Sequence, residues 1–301
     1  MRKILMFVSL VAYLTVSAVA QPCLDAAKVV PPVISEEARK LYESKLAEAE
    51  QVHLVKPNEA DSIIWLGRRT AYLGNYKNAI RIFSSGIVQH PNDARLYRHR
   101  GHRYLTIRCF DDAIKDFEKA ASLTMGKPDE VELDGIPNAR NIPTSTLQTN
   151  IHYHNGLAYY LKGDWGKAAA AFMSSYNLAK NPDMQVAAAH WVFMTARRYG
   201  EKKNSDWLVQ TQIKNDLDII ENQEYYKLIK LYKGLVKTDD LLIEARSNTN
   251  TLGSVSLMYG IGNYFLYNGD KEKALTIFKK IVSGDQWASF GYIAAEAELS
   301  R

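Results

Sequence analysis

The stretch WLGRRTAYLGNYKNAIRIF, Trp65 to Phe83, decides how this chain folds. Gly67 and Gly74 stand seven residues apart, Tyr76, Ala79 and Phe83 follow, and Pro91 closes the segment. Gly74 reads as the end of one helix, since glycine is the residue that helix C-termini favour. Ala79 and Phe83 fall at helical spacing on a second helix, which Pro91 stops. A helix–turn–helix pattern of this length calls for a search for further copies, because a missed repeat mis-assigns the whole fold.

Three further copies are present. Gly101 lies 34 residues after Gly67 and is followed by Tyr104, Phe110, Ala113, Phe117 and Ala120. Gly156 is followed by Tyr159, Gly163, Trp165, Ala168 and Phe172, and Gly262 by Phe265, Gly269, Ala274 and Phe278. The first glycine of each copy is small enough for the two helices of a pair to approach closely, with the alanine and the aromatic facing back onto the first helix.

These residues resemble the tetratricopeptide repeat (TPR) family, most closely at Trp65-Leu66-Gly67, Leu73-Gly74-Asn75-Tyr76 and Ala79. The resemblance implies an all-α fold, a right-handed superhelical solenoid of TPR-type hairpins with an N-terminal helix and a C-terminal capping helix. The organisation expected is a leader at 1–20, a linker at 21–34 marked by Pro31-Pro32, and an N-terminal helix at 35–56 with Ser35 as its cap. Repeats follow at 57–126, an insertion at 127–148, a third repeat at 149–182, worn helical repeats at 183–250, and a last repeat with its capping helix at 251–301. The spacing supports this layout: Gly156 to Gly262 is 106 residues, close to three periods of 34. Gly101 to Gly156 is 55, which is 21 more than one period.

The leader carries Arg2 and Lys3, an apolar run from Ile4 to Leu14, and the small residues Ala18-Val19-Ala20. That is the layout of a bacterial-style secretory signal, cleaved after Ala20, and it predicts a periplasmic or secreted protein. A lipid anchor on Cys23 is the weaker alternative, since Pro22 stands where such signals place a small residue. No other stretch reaches the ~20 apolar residues of a spanning helix. Cys23 and Cys109, the only cysteines, either pair in an oxidising compartment or stand as two separate thiols. The net charge of +5 falls to +3 without Arg2 and Lys3, too little for the basic stripe that nucleic-acid binding uses.

The resemblance also implies which residues line the groove formed by the first helices. They are Asp61, Ile64, Arg68 and Tyr72; Arg95, Arg98, His102 and Thr106; Asn150, Tyr153 and Tyr160; and Tyr259, Asn263 and Tyr267. A groove basic at one end and rich in tyrosine at the other suits a protein or peptide partner with acidic or C-terminal carboxylate groups. The family's fixed Lys/Asn/Arg carboxylate clamp is not reproduced. A second expectation starts from polar residues in slots that are usually apolar: Arg100, His152 and Asn155. With Arg98 and His102 they would form a pocket for a small anion beneath the insertion. The acidic insertion, with Asp129, Glu130, Glu132 and Asp134, would either neutralise these arginines or act as a lid. His99 with His102, and His152 with His154, lack the Cys, Asp or Glu companions of a metal site, and no nucleophile elbow or phosphate-cradling loop is present. The sequence therefore points to binding without a cofactor rather than to catalysis.

Overall fold

Each repeat glycine meets the phenylalanine sixteen residues further on. A methyl group added at Gly67, Gly101, Gly156 or Gly262 would lie 2.5, 2.9, 2.7 or 2.6 Å from the ring of Phe83, Phe117, Phe172 or Phe278. Only a bare Cα leaves room for these rings. Ala79, Ala113, Ala168 and Ala274 stand beside the rings and are fully buried, so each hairpin closes around a Gly–Ala–Phe set.

The computed structural model describes residues 22–247 and 251–301; the leader expected at 1–20 lies outside them. Four hairpins carry the repeats: α3 (Ala60–Tyr72) with α4 (Tyr76–Gln89), α5 (Ala94–Thr106) with α6 (Phe110–Thr124), α7 (Leu147–Lys162) with α8 (Trp165–Leu178), and α13 (Leu252–Tyr267) with α14 (Lys271–Val282). Two less regular pairs stand between the third and the last. The first is α9 (Pro182–Tyr199) with the six-residue α10 (Lys202–Trp207) and a π turn at Leu208–Gln212. The second is α11 (Gln223–Tyr232) with α12 (Thr238–Ser247). Side-chain caps set many starts: Ser35, Asp93, Thr146, Asn181 and Ser289 each accept a hydrogen bond from a backbone N–H in the first turn. An aromatic column joins the hairpins at the centre. Trp191 of α9 donates to the Tyr153 hydroxyl (2.8 Å) and stacks on Phe172, while Tyr259 of α13 donates to the Tyr160 hydroxyl (2.8 Å).

Both ends of the described chain are tied back to the same place. The N-terminal helix α2 (Glu36–Val55) packs on α3, and before it the short α1 (Pro22–Ala26) buries Leu24. Of the two readings of the cysteines the structure takes the pair: a disulfide joins Cys23 to Cys109, in the turn between α5 and α6, with Cα atoms 5.8 Å apart. The linker is not loose, because Pro31 and Pro32 pack against Gly74, whose φ of +84° lets the chain pass close. At the other end α15 (Phe290–Leu299) caps α13 and α14 and also touches α7. Arg108, next to Cys109, donates to Glu296 (2.8 Å) and to the Trp287 carbonyl (2.9 Å), and lies over the Trp287 ring at 3.7 Å.

Two outcomes follow from this packing. Gly156→Ala lowers stability by about 1–3 kcal/mol and Phe172→Ala by about 3–5 kcal/mol, while the double variant loses clearly less than the sum; urea unfolding of the four proteins measures it. Replacing both Cys23 and Cys109 by Ser lowers stability by about 3–5 kcal/mol, the entropy returned to the unfolded chain when a loop this long is released, and the same unfolding curves read it.

Candidate functional site

The insertion is what shapes the face of the first helices. From Lys127 to Ser145 it forms no regular element; Glu132 donates its backbone N–H to Ser145 O and Leu147 donates to Glu130 O, which closes the insertion as a loop. The loop lies across α3 and α5. Arg68 donates to Leu133 O (2.9 Å), Arg69 to Gly135 O (2.6 Å), and Glu132 sits 2.8 Å from Arg98. Further along, Arg140 pairs with Asp218 (2.8 Å), and Asn138 (2.8 Å) and Thr144 (2.5 Å) donate to Glu221. Both acids belong to the segment between the π turn and α11, so the loop bridges the first two repeats to the irregular middle.

A cleft of about 450 Å³ remains beneath it, with Arg68, Tyr72, Arg98, His102, Arg103 and Asp134 among its walls. It continues into a second cavity of about 370 Å³ through the shared residues His102, Ser145, Asn150, Glu221 and Leu252. The second half is aromatic, with Tyr153, His154, Tyr225 and Phe290. The imidazoles between the two halves are held neutral. Burial pushes His99, His102 and His154 well below the usual histidine range, and the charge of Arg98 pushes the same way. His154 shares a hydrogen bond with Asn150 O (2.7 Å), and the His102 ring sits 4.5 Å from it.

The structure brings together only some of the residues expected in a groove. Arg68, Tyr72, Arg98, His102, Asn150 and Tyr153 do line the cleft. Arg95 is held by Asp93 (2.7 Å) and Asp61 (2.6 Å) near the cleft's outer edge. Tyr160 and Tyr259, with 0% and 1% of their surface exposed, bond to one another in the core instead of lining a groove. Asn263 is fully buried against Arg198, and Tyr267 packs beneath Arg197 and Phe193. The reason is the same for all four: in this half α9 and α13 pack on each other directly, so the positions that would face outward meet a helix.

The small-anion set is likewise divided. Arg98 and His102 face the cleft, 3.1 Å apart. Arg100 turns away and makes a two-point pair with Asp116 of α6 (2.8 and 2.7 Å), with a further bond to Ser84 (3.0 Å). The insertion therefore neutralises Arg98 but not Arg100. Asn155 is buried, and neither it nor His152 lines the cleft. Arg103 is not among the residues that the resemblance supplies, and Asp134, expected only as one of the insertion's acids, lines the cleft beside it. Arg103 lies two residues after Gly101, outside the offsets that the resemblance supplies, and nothing local shows where the insertion's acids will land.

Acid weakens this arrangement. His99, His154 and His190 are buried with their pKa values lowered, His190 to about 3 by burial alone. The unfolded chain takes up protons near pH 6.5 that the folded chain refuses, so stability is full above pH 6.5 and falls as pH drops below it, by about 1.4 kcal/mol per pH unit for each histidine. Asp134, pushed up to about 6, acts in the opposite direction between pH 6 and 4 and offsets part of the loss. Urea midpoints at pH 7.5 and pH 5 are expected to differ by that loss, and His190→Gln is expected to flatten the dependence.

No protein-family model matches the sequence, and no curated protein does. Among solved structures the chain is similar to YrrB, described as a TPR protein with an unusual peptide-binding site, at 13% identity over 84% of this chain and 98% of that one, with a TM-score of 0.44. It is similar to the APC/C hetero-tetramer Cut9-Hcn1 at 17% identity over 86% of this chain and 46% of that one, with a TM-score of 0.50. By its four glycine–phenylalanine hairpins and by its fold, this chain is a superhelical α-solenoid of the tetratricopeptide-repeat type.

Proposed function

We propose that this protein is an exported interaction scaffold that takes a segment of a partner protein into the open, aromatic half of the cleft. The observation that carries the reading is the lining of that half, where Tyr153, Tyr225 and Phe290 stand beside the apolar Met184 and Leu252. Aromatic side chains in a pocket are the anchors on which protein interfaces concentrate their energy, and stacked hairpins supply a rigid frame for them. The basic half is less suited to a partner. Arg98 is already neutralised by Glu132 and Arg68 is engaged by Leu133 O, so the chain's own loop holds the place of an acidic peptide. A partner segment with apolar side chains therefore fits better than one defined by its carboxylates. Among the described residues no helix is long and apolar enough to cross a membrane. Export is supported by the leader pattern and by the Cys23–Cys109 disulfide, which suits an oxidising compartment.

A photo-crosslinker tests the surface. Leu252 is 62% exposed at the mouth of the cleft and Val88 is 82% exposed on α4, away from it. With benzoylphenylalanine at 252, a single adduct of defined mass is expected in the exported fraction; the same probe at 88 is expected to give none, and Phe290→Ala to weaken the adduct at 252. Equal labelling from both positions would sink the reading. Mass spectrometry of the exported chain is expected to find Gln21 as its first residue.

A further inference from the structure

The half of the cleft under the insertion carries opposite charges on its two sides, and one group on each side makes no hydrogen bond or ion pair among the described residues. On α5, the guanidinium of Arg103 makes no hydrogen bond or ion pair with any described residue; the Tyr76 ring lies 5.8 Å away and Tyr72 shares its cavity wall. Burial draws its pKa down to about 10, which is the mark of a cation short of compensation. On the insertion, Asp134 lines the same space and likewise has neither an ion pair nor a hydrogen bond among the described residues. Burial first and then the charge of Glu221 push its carboxyl up to about 6; the Arg68 charge pulls the other way, and that of Glu132 adds to the rise. Between them Arg98 and Glu132 cancel each other at 2.8 Å.

A partly desolvated charge that no ion pair or hydrogen bond compensates is costly. Two such groups of opposite sign on one cavity of about 450 Å³, a size usual for small-molecule sites, leave room for one molecule that compensates both. A purely anionic molecule would satisfy Arg103 but meet Glu132 and Asp134. A purely cationic one would satisfy Asp134 but meet Arg68 and Arg103. We infer that this end of the cleft is a site for a small zwitterion of the α-amino-acid type, its carboxylate received by Arg103 and its ammonium group by Asp134. Tyr72, Ser145 and Asn150 on the walls offer neutral hydrogen-bonding groups to the rest of the molecule. The site adjoins the Leu252–Phe290 end on which the partner reading rests and shares Ser145 and Asn150 with it, but Arg103 and Asp134 line this half alone, so either reading can fail without the other.

Thermal unfolding of the exported chain at neutral pH, with each common α-amino acid in turn at about 10 mM, tests the assignment. At least one is expected to raise Tm by about 2–4 °C by mass action, and its N-acetyl and carboxamide derivatives are expected to lose the shift. Arg103→Met and Asp134→Asn, each still folded, are expected to lose it too. Asp134→Asn preserves shape on an exposed loop and so keeps the test available if Arg103→Met does not fold. The assignment is overturned if no amino acid shifts Tm, if a blocked derivative shifts it equally, or if a folded Asp134→Asn retains the full shift.

Discussion

The ring of a phenylalanine resting on the bare Cα of a glycine is the constraint on which the rest of this structure depends. It appears four times, at Gly67, Gly101, Gly156 and Gly262, and each time it fixes how closely the two helices of a hairpin approach. Dense interiors do not absorb an extra methyl at such a contact without moving a helix. Hairpins of equal thickness then stack in register, so α3, α5 and α7 fall side by side and present one continuous face. The cleft is the space left between that face and the loop that crosses it.

The chemistry of this face is set by arginine. Helix α5 carries Arg95, Arg98, Arg100 and Arg103, and the chain answers each differently. Arg95 finds two acids near the surface, Arg98 finds one from the insertion, and Arg100 finds one on the second helix of its own hairpin. These are long-range answers apart from Asp93, and the one to Glu132, with Arg68 and Arg69 of α3, holds the insertion in place without regular secondary structure. Main-chain carbonyls of Leu133 and Gly135 do as much of the holding as any side chain.

Much of this was legible in the sequence, for a physical reason. A contact that tolerates only glycine on one side and a ring on the other leaves a signature at fixed spacing, and helix caps such as Ser35 leave another. The face of the first helices was legible where neighbouring hairpins leave it open, as at Arg68, Tyr72, Arg98 and His102. It was illegible at Tyr160, Tyr259, Asn263 and Tyr267, because their burial depends on how α9 and α13 meet, and the repeat pattern has worn away in the stretch that leads to that junction. The path of the insertion was illegible too, since carbonyl acceptors belong to every residue alike. Arg103 lay in plain view among the arginines of α5, yet only the count of acids that reach the helix sets it apart.

The turn at Arg108 and Cys109 holds the first described segment through sulfur, and the C-terminal segment through Trp287 and, on the last helix, Glu296. An open repeat array touches only its neighbours, can stretch like a spring, and loses its end repeats first. Here neither end of the described chain is loose. Elasticity is given up, and the array is expected to melt as one unit rather than fray from its termini. Contacts such as Arg108 with Glu296 span 188 residues of chain, so closure is expected late in folding, and this protein is expected to reach its native state more slowly than a helical array of local contacts would.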